Sequence, residues 1–252
     1  MDLQLNGKTC LVTGASVGCG EAVARVLARE GAQVVMTARR TDLMDTIANE
    51  IEQQGGARPH ILAGDIMDPA DIKRVCADAV SEAGPIDILV NAAGGSRPIP
   101  VEADDDVWQE AFDLNFHSCR RFTHELLPSM RERGFGRVIG FSGSMEPRTL
   151  NAAIAAKAAI HLWAKGLSCD VAKQGVTVNS IAPGRIKSEQ IMDKLYPTEG
   201  ARQAFIDSNI PMGYFGEAED VGNVVAFLCS PLASYITGCV IPVDGGMHTF
   251  AH

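Results

Sequence analysis

The feature that most constrains this chain is an alternation. Short apolar runs rich in β-branched residues recur along it, and a longer stretch of helical periodicity follows most of them. The runs at 9–13, 33–37, 60–63, 86–90, 137–141, 176–180 and 239–243 read as seven strands. Helical patterns cover 18–30, the stretch to about 54, 69–83, 105–132 and 152–173. Strands that are apolar throughout belong inside a parallel sheet, where crossover helices cover both faces. The expectation is a single doubly wound α/β domain over 1–252: a seven-stranded parallel sheet with helices on both faces. A chain of 252 residues is long enough to bury such a core. The most irregular stretch is 184–217, which holds Pro197, Gly200, Pro211, Gly213 and Gly216. A long irregular segment beside the ligand edge of a sheet is expected to be a flexible substrate lid.

Composition narrows the partners. The formal net charge is −9, which argues against a nucleic-acid partner, since that would need a basic face. Residues 1–8 show no basic region followed by an apolar run, and no apolar stretch reaches membrane-spanning length. The seven cysteines are scattered, odd in number and form no Cys-x-x-Cys pair. Buried free thiols in a reduced, cytoplasmic protein are expected. The six histidines make no metal-binding pattern, so no metal is expected.

The strongest local signal follows the first strand. Thr13-Gly14-Ala15-Ser16-Val17-Gly18-Cys19-Gly20 opens directly into a helix. Glycines let the backbone turn tightly and approach a pyrophosphate, and the helix N-terminus then faces the phosphate charge. The spacing is Gly-x3-Gly-x-Gly, and its place in a strand–turn–helix unit is the one that supports a Rossmann-type dinucleotide site. An acidic residue some 20 positions past the glycines would bind the ribose 2′-hydroxyl of NAD, whereas an Arg accommodates a 2′-phosphate. The second strand here runs into Arg39-Arg40, with no acid before Asp42. NADP(H) is therefore the expected cofactor.

Several motifs in order make the chain similar to the short-chain dehydrogenase/reductase family. Thr13-Gly14-x3-Gly18-x-Gly20 resembles its cofactor loop. Asp65, followed by Ile66, resembles its adenine-contacting Asp, and Asn91-Ala92-Ala93-Gly94 its Asn-Asn-Ala-Gly motif. Asn115 resembles its catalytic-helix Asn. Pro183-Gly184 with Ile186 and Ser188 resembles its turn near the nicotinamide, and Asp244-Gly245-Gly246 also fits. The resemblance implies an oxidoreductase whose loop residues Ser16 and Val17 also hold the cofactor.

The resemblance breaks at the catalytic positions. The family uses Ser, Tyr and Lys, with the Lys four residues after the Tyr. Lys157 matches the Lys and is expected to bind the nicotinamide ribose, but four positions earlier stands Ala153. The usual Ser falls at Gly143, flanked by Ser142 and Ser144, and the loop to Lys157 is short for the family. Ser142, Ser144, Asn115 and Lys157 are the remaining catalytic candidates. His161 and His117 can titrate near neutrality but are weaker candidates. Glu146 and Arg148 sit where family members line the substrate pocket.

Three functions compete: an NADP(H)-dependent oxidoreductase with a substitute proton donor, a non-redox lyase, aldolase or isomerase, and a non-catalytic cofactor-binding protein. The first leads on resemblance; an engineered Tyr-to-Ala reductase would explain Ala153 but not Gly143. Arg97, Arg148 and Arg185 should meet at the carboxyl ends of the strands, so a small anionic substrate is expected. A homotetramer is expected from the two helices at 105–132 and 152–173, the latter with Ile154, Ala158, Ile160, Leu162 and Trp163.

Overall fold

The computed structural model describes residues 1–143, 146–188 and 190–250, with the side chains of Gln190 and Lys194 excepted. The strands are β1 (Thr9–Thr13), β2 (Gln33–Ala38), β3 (His60–Ala63), β4 (Ile88–Asn91), β5 (Gly136–Phe141), β6 (Val176–Pro183) and β7 (Val240–Val243). The helices are α1 (Gly18–Arg29), α2 (Thr41–Gln53), α3 (Pro69–Ala83), α4 (Asp105–Phe112), α5 (Ser118–Arg133), α6 (Ala152–Val171), α7 (Glu199–Asn209) and α8 (Ala218–Cys229). All seven strands form one parallel sheet in the order β3-β2-β1-β4-β5-β6-β7.

The pattern of buried residues explains the two covered faces. Every residue of β1 and of β5 is buried. Val12, Met36 and Val90 point into a core closed by Val23 and Leu27 of α1 and Val221 and Val225 of α8. Leu11, Val35, Leu89 and Val138 point the other way, against Ile72 of α3, Phe122 of α5 and Ile160 of α6. Alternation along each strand thus feeds two cores from one run of apolar residues.

α8 was not expected from the sequence. It packs closely on α1, where a Cβ on Gly222 would lie 2.9 Å from Val26 Cγ2. The helix pattern at 105–132 is also not continuous. A π-helical turn at Asp113–His117 separates α4 from α5, and inside it Asn115 Nδ2 donates to Ala111 O at 2.9 Å. One inserted residue widens the turn, and such bulges concentrate at functional sites.

The chain leaves β1 to form β2 and β3 on one side, then returns to place β4 on the other. That reversal opens a crevice at the carboxyl ends of β1 and β4, the place where open α/β sheets hold ligands. The stretch 184–217 has an aromatic cluster of its own, with Tyr196, Phe205 and Phe215 at centroid separations of 4.8–6.2 Å. Four cysteines are buried and Cys19 is partly so, but Cys169 and Cys239 are exposed, against the expectation of buried thiols throughout. No helix among the described residues is long and apolar enough to cross a membrane.

Candidate active site

The glycine loop is shaped by contacts that leave no space for a side chain. Gly14 has φ +66° and its Cβ would lie 2.7 Å from Ala93 Cα. A Cβ on Gly20 would lie 2.3 Å from Gly14 O. Thr13 Oγ1 accepts a hydrogen bond from Ala93 N at 3.2 Å, and Gly14 N donates to Thr37 O at 2.9 Å. The loop is therefore clamped between β2 and the turn after β4. Val17, at the N-cap of α1, offers no side-chain oxygen to the first amides of the helix, which stay available to an anion. Ser16 is buried beneath the loop.

The other expected cofactor residues stand around this cradle. Asn91 ends β4, and both its Nδ2 and Oδ1 are buried without a hydrogen-bond partner among the described residues. An unsatisfied buried amide is costly and points to a missing ligand or water. Asp65, just past β3, accepts from Met67 N at 3.0 Å, and its own N–H donates to Asp71 Oδ2 at 2.6 Å. Ile66 packs on the adjacent core. Gly18 faces Ser188, whose Cβ would be 4.0 Å from a Cβ on Gly18. Pro183 ends β6, and Gly184 approaches Asp244 so closely that its Cβ would lie 2.6 Å from Asp244 Cα. Ile186 is buried and bridges to Gly216. Arg39 is exposed beyond β2 with no ion pair among the described residues, and Arg40 stands at the N-cap of α2. A pyrophosphate-sized anion at the loop and a second anionic group near Arg39 suit this donor set.

Lys157 lies on α6 beside the crevice. Its Cε and Nζ would be 3.5 and 3.6 Å from a Cβ on Gly94, and its Cδ 3.7 Å from one on Gly143. Ala92 and Gly94 lie on the same turn, and Gly95 N donates to Asn115 Oδ1 at 3.0 Å. Burial of the Lys157 amine pushes its pKa below the usual lysine value, with the neighbouring Cys19 opposing that shift. Cys19 belongs to the glycine loop, and burial raises its thiol to about 11. Its electrostatic influence on Lys157 is one that sequence spacing gave no reason to expect.

The structure separates the catalytic candidates. Ser142 is buried, and its Oγ donates to Ile181 O at 3.0 Å, so this hydroxyl is committed to the sheet. Gly143, where the resemblance places the usual serine, faces the stem of Lys157. Ser144 lies outside the described residues. Ala153 is 2% exposed, and its N–H donates to Asn151 Oδ1 at the helix start. The methyl is packed. Burial lowers the pKa of both His117 and His161.

The three arginines expected to converge do not share one task. Arg97 makes a two-point pair with Glu110 at 2.7 and 2.8 Å, an arrangement that raises the arginine pKa and lowers that of the acid. Arg148 donates to Asn209 Oδ1 at 3.3 Å. Arg185 lies over the Phe205 ring at 5.1 Å, with its Nε buried and unpartnered among the described residues. Glu146 accepts from Thr249 N and Phe250 N at 2.7–3.0 Å, which lowers its pKa. His248 Nδ1 meets Asp244 Oδ2 at 2.8 Å. Sequence reading missed this last pair, although a four-residue spacing after a Gly-Gly turn is a signal that could have found it.

Comparison with known proteins agrees with this architecture. A family model described as enoyl-(acyl carrier protein) reductase matches residues 14–248. The chain is 36% identical over 250 residues to the 3-oxoacyl-[acyl-carrier-protein] reductase of Rickettsia felis, covering 97% of this chain and 98% of that protein. It is 35% identical to the Escherichia coli protein of the same description, covering 98% and 99%. Among solved structures, L-sorbose reductase from Gluconobacter frateurii, complexed with NADPH and L-sorbose, superposes with a TM-score of 0.94 at 32% identity, covering 99% and 100%. A 7α-hydroxysteroid dehydrogenase complexed with NADH and 7-oxo glycochenodeoxycholic acid superposes at 0.92 and 30% identity, covering 100% and 98%. With its fold, its motif order and its relatives in agreement over nearly the whole length, the chain belongs to the short-chain dehydrogenase/reductase family of oxidoreductases.

Proposed function

We propose that this protein is an NADP(H)-dependent oxidoreductase acting on the carbonyl or alcohol of a small anionic substrate, with a rebuilt proton-transfer site. The observation that carries the cofactor choice is Arg39, exposed beyond β2 with no acidic partner among the described residues. A guanidinium there suits a 2′-phosphate. The NADPH-bound sorbose reductase supports the same reading, while the NADH-bound steroid enzyme shows that the fold serves both cofactors.

When bound, the nicotinamide supplies or accepts hydride. The chain's own residues do the rest. Thr13, Gly14, Ser16, Val17, Gly18 and Gly20 cradle the pyrophosphate, Asp65 and Ile66 border the adenine, and Asn91, Ala92 and Gly94 line the ribose. Lys157 holds the nicotinamide ribose, and Pro183, Gly184, Ile186 and Ser188 border the nicotinamide. Arg185 and Arg148 remain to meet the substrate's anionic group, since Glu110 occupies Arg97. Titration calorimetry with NADPH and NADH, followed by a carbonyl screen that tracks absorbance and substrate together, tests this reading. Tighter NADH binding refutes the cofactor assignment, and substrate loss without NADPH oxidation refutes the redox assignment.

One observation favours a second reading as a non-redox lyase, aldolase or isomerase. The lowered pKa of Lys157 makes its amine more readily neutral, and a neutral amine can act as base or nucleophile.

The assembly follows from α6. Ala155, Ala158 and Leu162 face solvent on it, Leu162 with 82% exposure. His161 Nε2, His117 Nδ1 and Arg121 Nη1 are buried without hydrogen-bond partners among the described residues. A second copy packed here would cover the apolar face, in a homotetramer. A monomeric mass by light scattering at micromolar concentration refutes it.

A further inference from the structure

We propose that His248, held by Asp244, exchanges the proton with the substrate oxygen in place of the tyrosine this chain lacks; this rests on the carbonyl–alcohol reading above. The usual positions carry nothing to move a proton: a packed methyl at Ala153, a hydrogen at Gly143, and at Ser142 a hydroxyl bonded to Ile181 O. Tyr196 is stacked among Phe205 and Phe215.

The path of the C-terminal segment brings His248 to the site. Asp244 follows β7 and abuts Gly184 at the end of β6. Five and six residues later, Thr249 and Phe250 donate their N–H groups to the Glu146 carboxylate, on the loop leaving β5. In the sheet β6 lies between β5 and β7. The segment therefore crosses the carboxyl end of β6, along the ligand edge of the sheet. His248 sits within that crossing. Gly143, three residues before the Glu146 anchor, faces the stem of Lys157.

The histidine is built like a general acid–base. Asp244 Oδ2 accepts from His248 N at 3.0 Å and meets His248 Nδ1 at 2.8 Å, while Oδ1 accepts from Gly246 N at 3.0 Å. The Asp244 side chain is 11% exposed and the imidazole 38%, so the carboxylate is fixed and the ring has an open edge. A carboxylate at Nδ1 places a proton there, orients the ring and leaves Nε2 to titrate. The charged group meeting the ring is Asp244, while the Glu146 carboxylate across the crossing is taken up by Thr249 N and Phe250 N. In reduction the carbonyl carbon accepts hydride and its electron pair from the reduced nicotinamide. The C=O π pair moves to oxygen, and that oxygen takes the Nε2 proton. The products are the alcohol, oxidised nicotinamide and neutral imidazole, with Asp244 ionised throughout.

The test begins with the cofactor-free protein. Nitrogen-detected NMR should show the neutral His248 ring of the wild type protonated on Nδ1, and Asp244→Asn should weaken that tautomer preference. In steady state, His248→Gln should lower kcat for NADPH-dependent carbonyl reduction by about 10²–10⁴-fold. NADPH affinity should not change. The fall in wild-type rate as pH rises through the imidazole pKa should disappear. A neutral ring protonated on Nε2, or a tautomer preference unchanged by Asp244→Asn, overturns the proposal even if His248→Gln fails to fold. A folded His248→Gln protein with wild-type kcat and pH profile overturns it while leaving the reductase reading intact. A wild-type protein that binds NADPH but reduces no carbonyl overturns the reductase reading beneath it.

Discussion

Two edges of the same crevice have different constraints. At the glycine loop the function is carried by backbone, and the contacts admit no substitution: Cβ atoms at Gly14 and Gly20 would collide with main-chain atoms at 2.7 and 2.3 Å. At the β5–α6 edge the function is carried by side chains. There a Cβ on Gly143 would meet no described atom closer than Lys157 Cδ at 3.7 Å, and Ala153 sits in an ordinary capped helix start. A backbone cradle cannot change without displacing β2 and the turn after β4. A side chain at a strand end or in a first helical turn can change while the fold stays the same. On the reading proposed here, a cofactor edge can persist while the proton donor beside it changes.

The comparison breaks most directly at Gly14. Gly14→Ala combines a left-handed backbone with a main-chain clash, and should cost about 2–5 kcal/mol. Denaturant titration should show a lowered midpoint, and calorimetry should show cofactor binding lost. A Gly14→Ala protein with wild-type stability and affinity would mean the loop is not the rigid edge.

The opposite edge should tolerate repair. Gly143→Ser has room and should change stability by less than about 1 kcal/mol. Ala153→Tyr forces a ring into a packed site, so it should destabilise by about 1–3 kcal/mol. Alone it should add little carbonyl reduction, since position 143 still lacks an orienting hydroxyl; the double variant should add more. A large gain from Ala153→Tyr alone, read by NADPH oxidation, would mark the protein as a crippled reductase.

Cofactor choice sharpens the comparison, because here a side chain decides at the cofactor edge itself. Arg39→Asp should weaken NADPH binding by roughly 10–100-fold, one to two steps of about 1.4 kcal/mol. NADH binding should change far less. Equal loss for both cofactors would place Arg39 outside the 2′-phosphate site.

Lys157 joins the two edges and gives a smaller, signed effect. Its pKa is lowered on folding, so the unfolded chain binds more protons between the folded value and the usual lysine value. Stability should rise with pH across that window. Lys157→Met should remove this dependence and raise Tm at neutral pH while weakening cofactor binding. A pH-independent difference between the two Tm curves would show that burial of the amine carries no cost.

Much of the site was legible because its signals are local. Glycines followed by a helix, Asn91 at a strand end and Pro183-Gly184 at another each carry their meaning in a few residues. The strand runs were legible because a buried strand has to be apolar throughout. The end of the long helix pattern at Asp113 was not, since the extra residue of a π turn leaves the apolar periodicity nearly intact. The committed state of Ser142 and the Arg97–Glu110 pair were not legible either, because each partner arrives from a distant stretch of chain.

Sequence by itself determined the doubly wound sheet, the tight glycine loop after β1 and the absence of a phenol four residues before Lys157. These depend on periodicity, on glycine's missing Cβ and on residue identity, all properties of short stretches. Only the tertiary structure decided that the Ser142 hydroxyl is spent on Ile181 O, that Arg97 is gripped by Glu110, and that the C-terminal segment crosses from β7 towards β5 with His248 within it. Those outcomes depend on which face of a strand a residue takes and on which remote segments become neighbours. Packing sets both through the balance of burial and hydrogen-bond satisfaction over the whole chain.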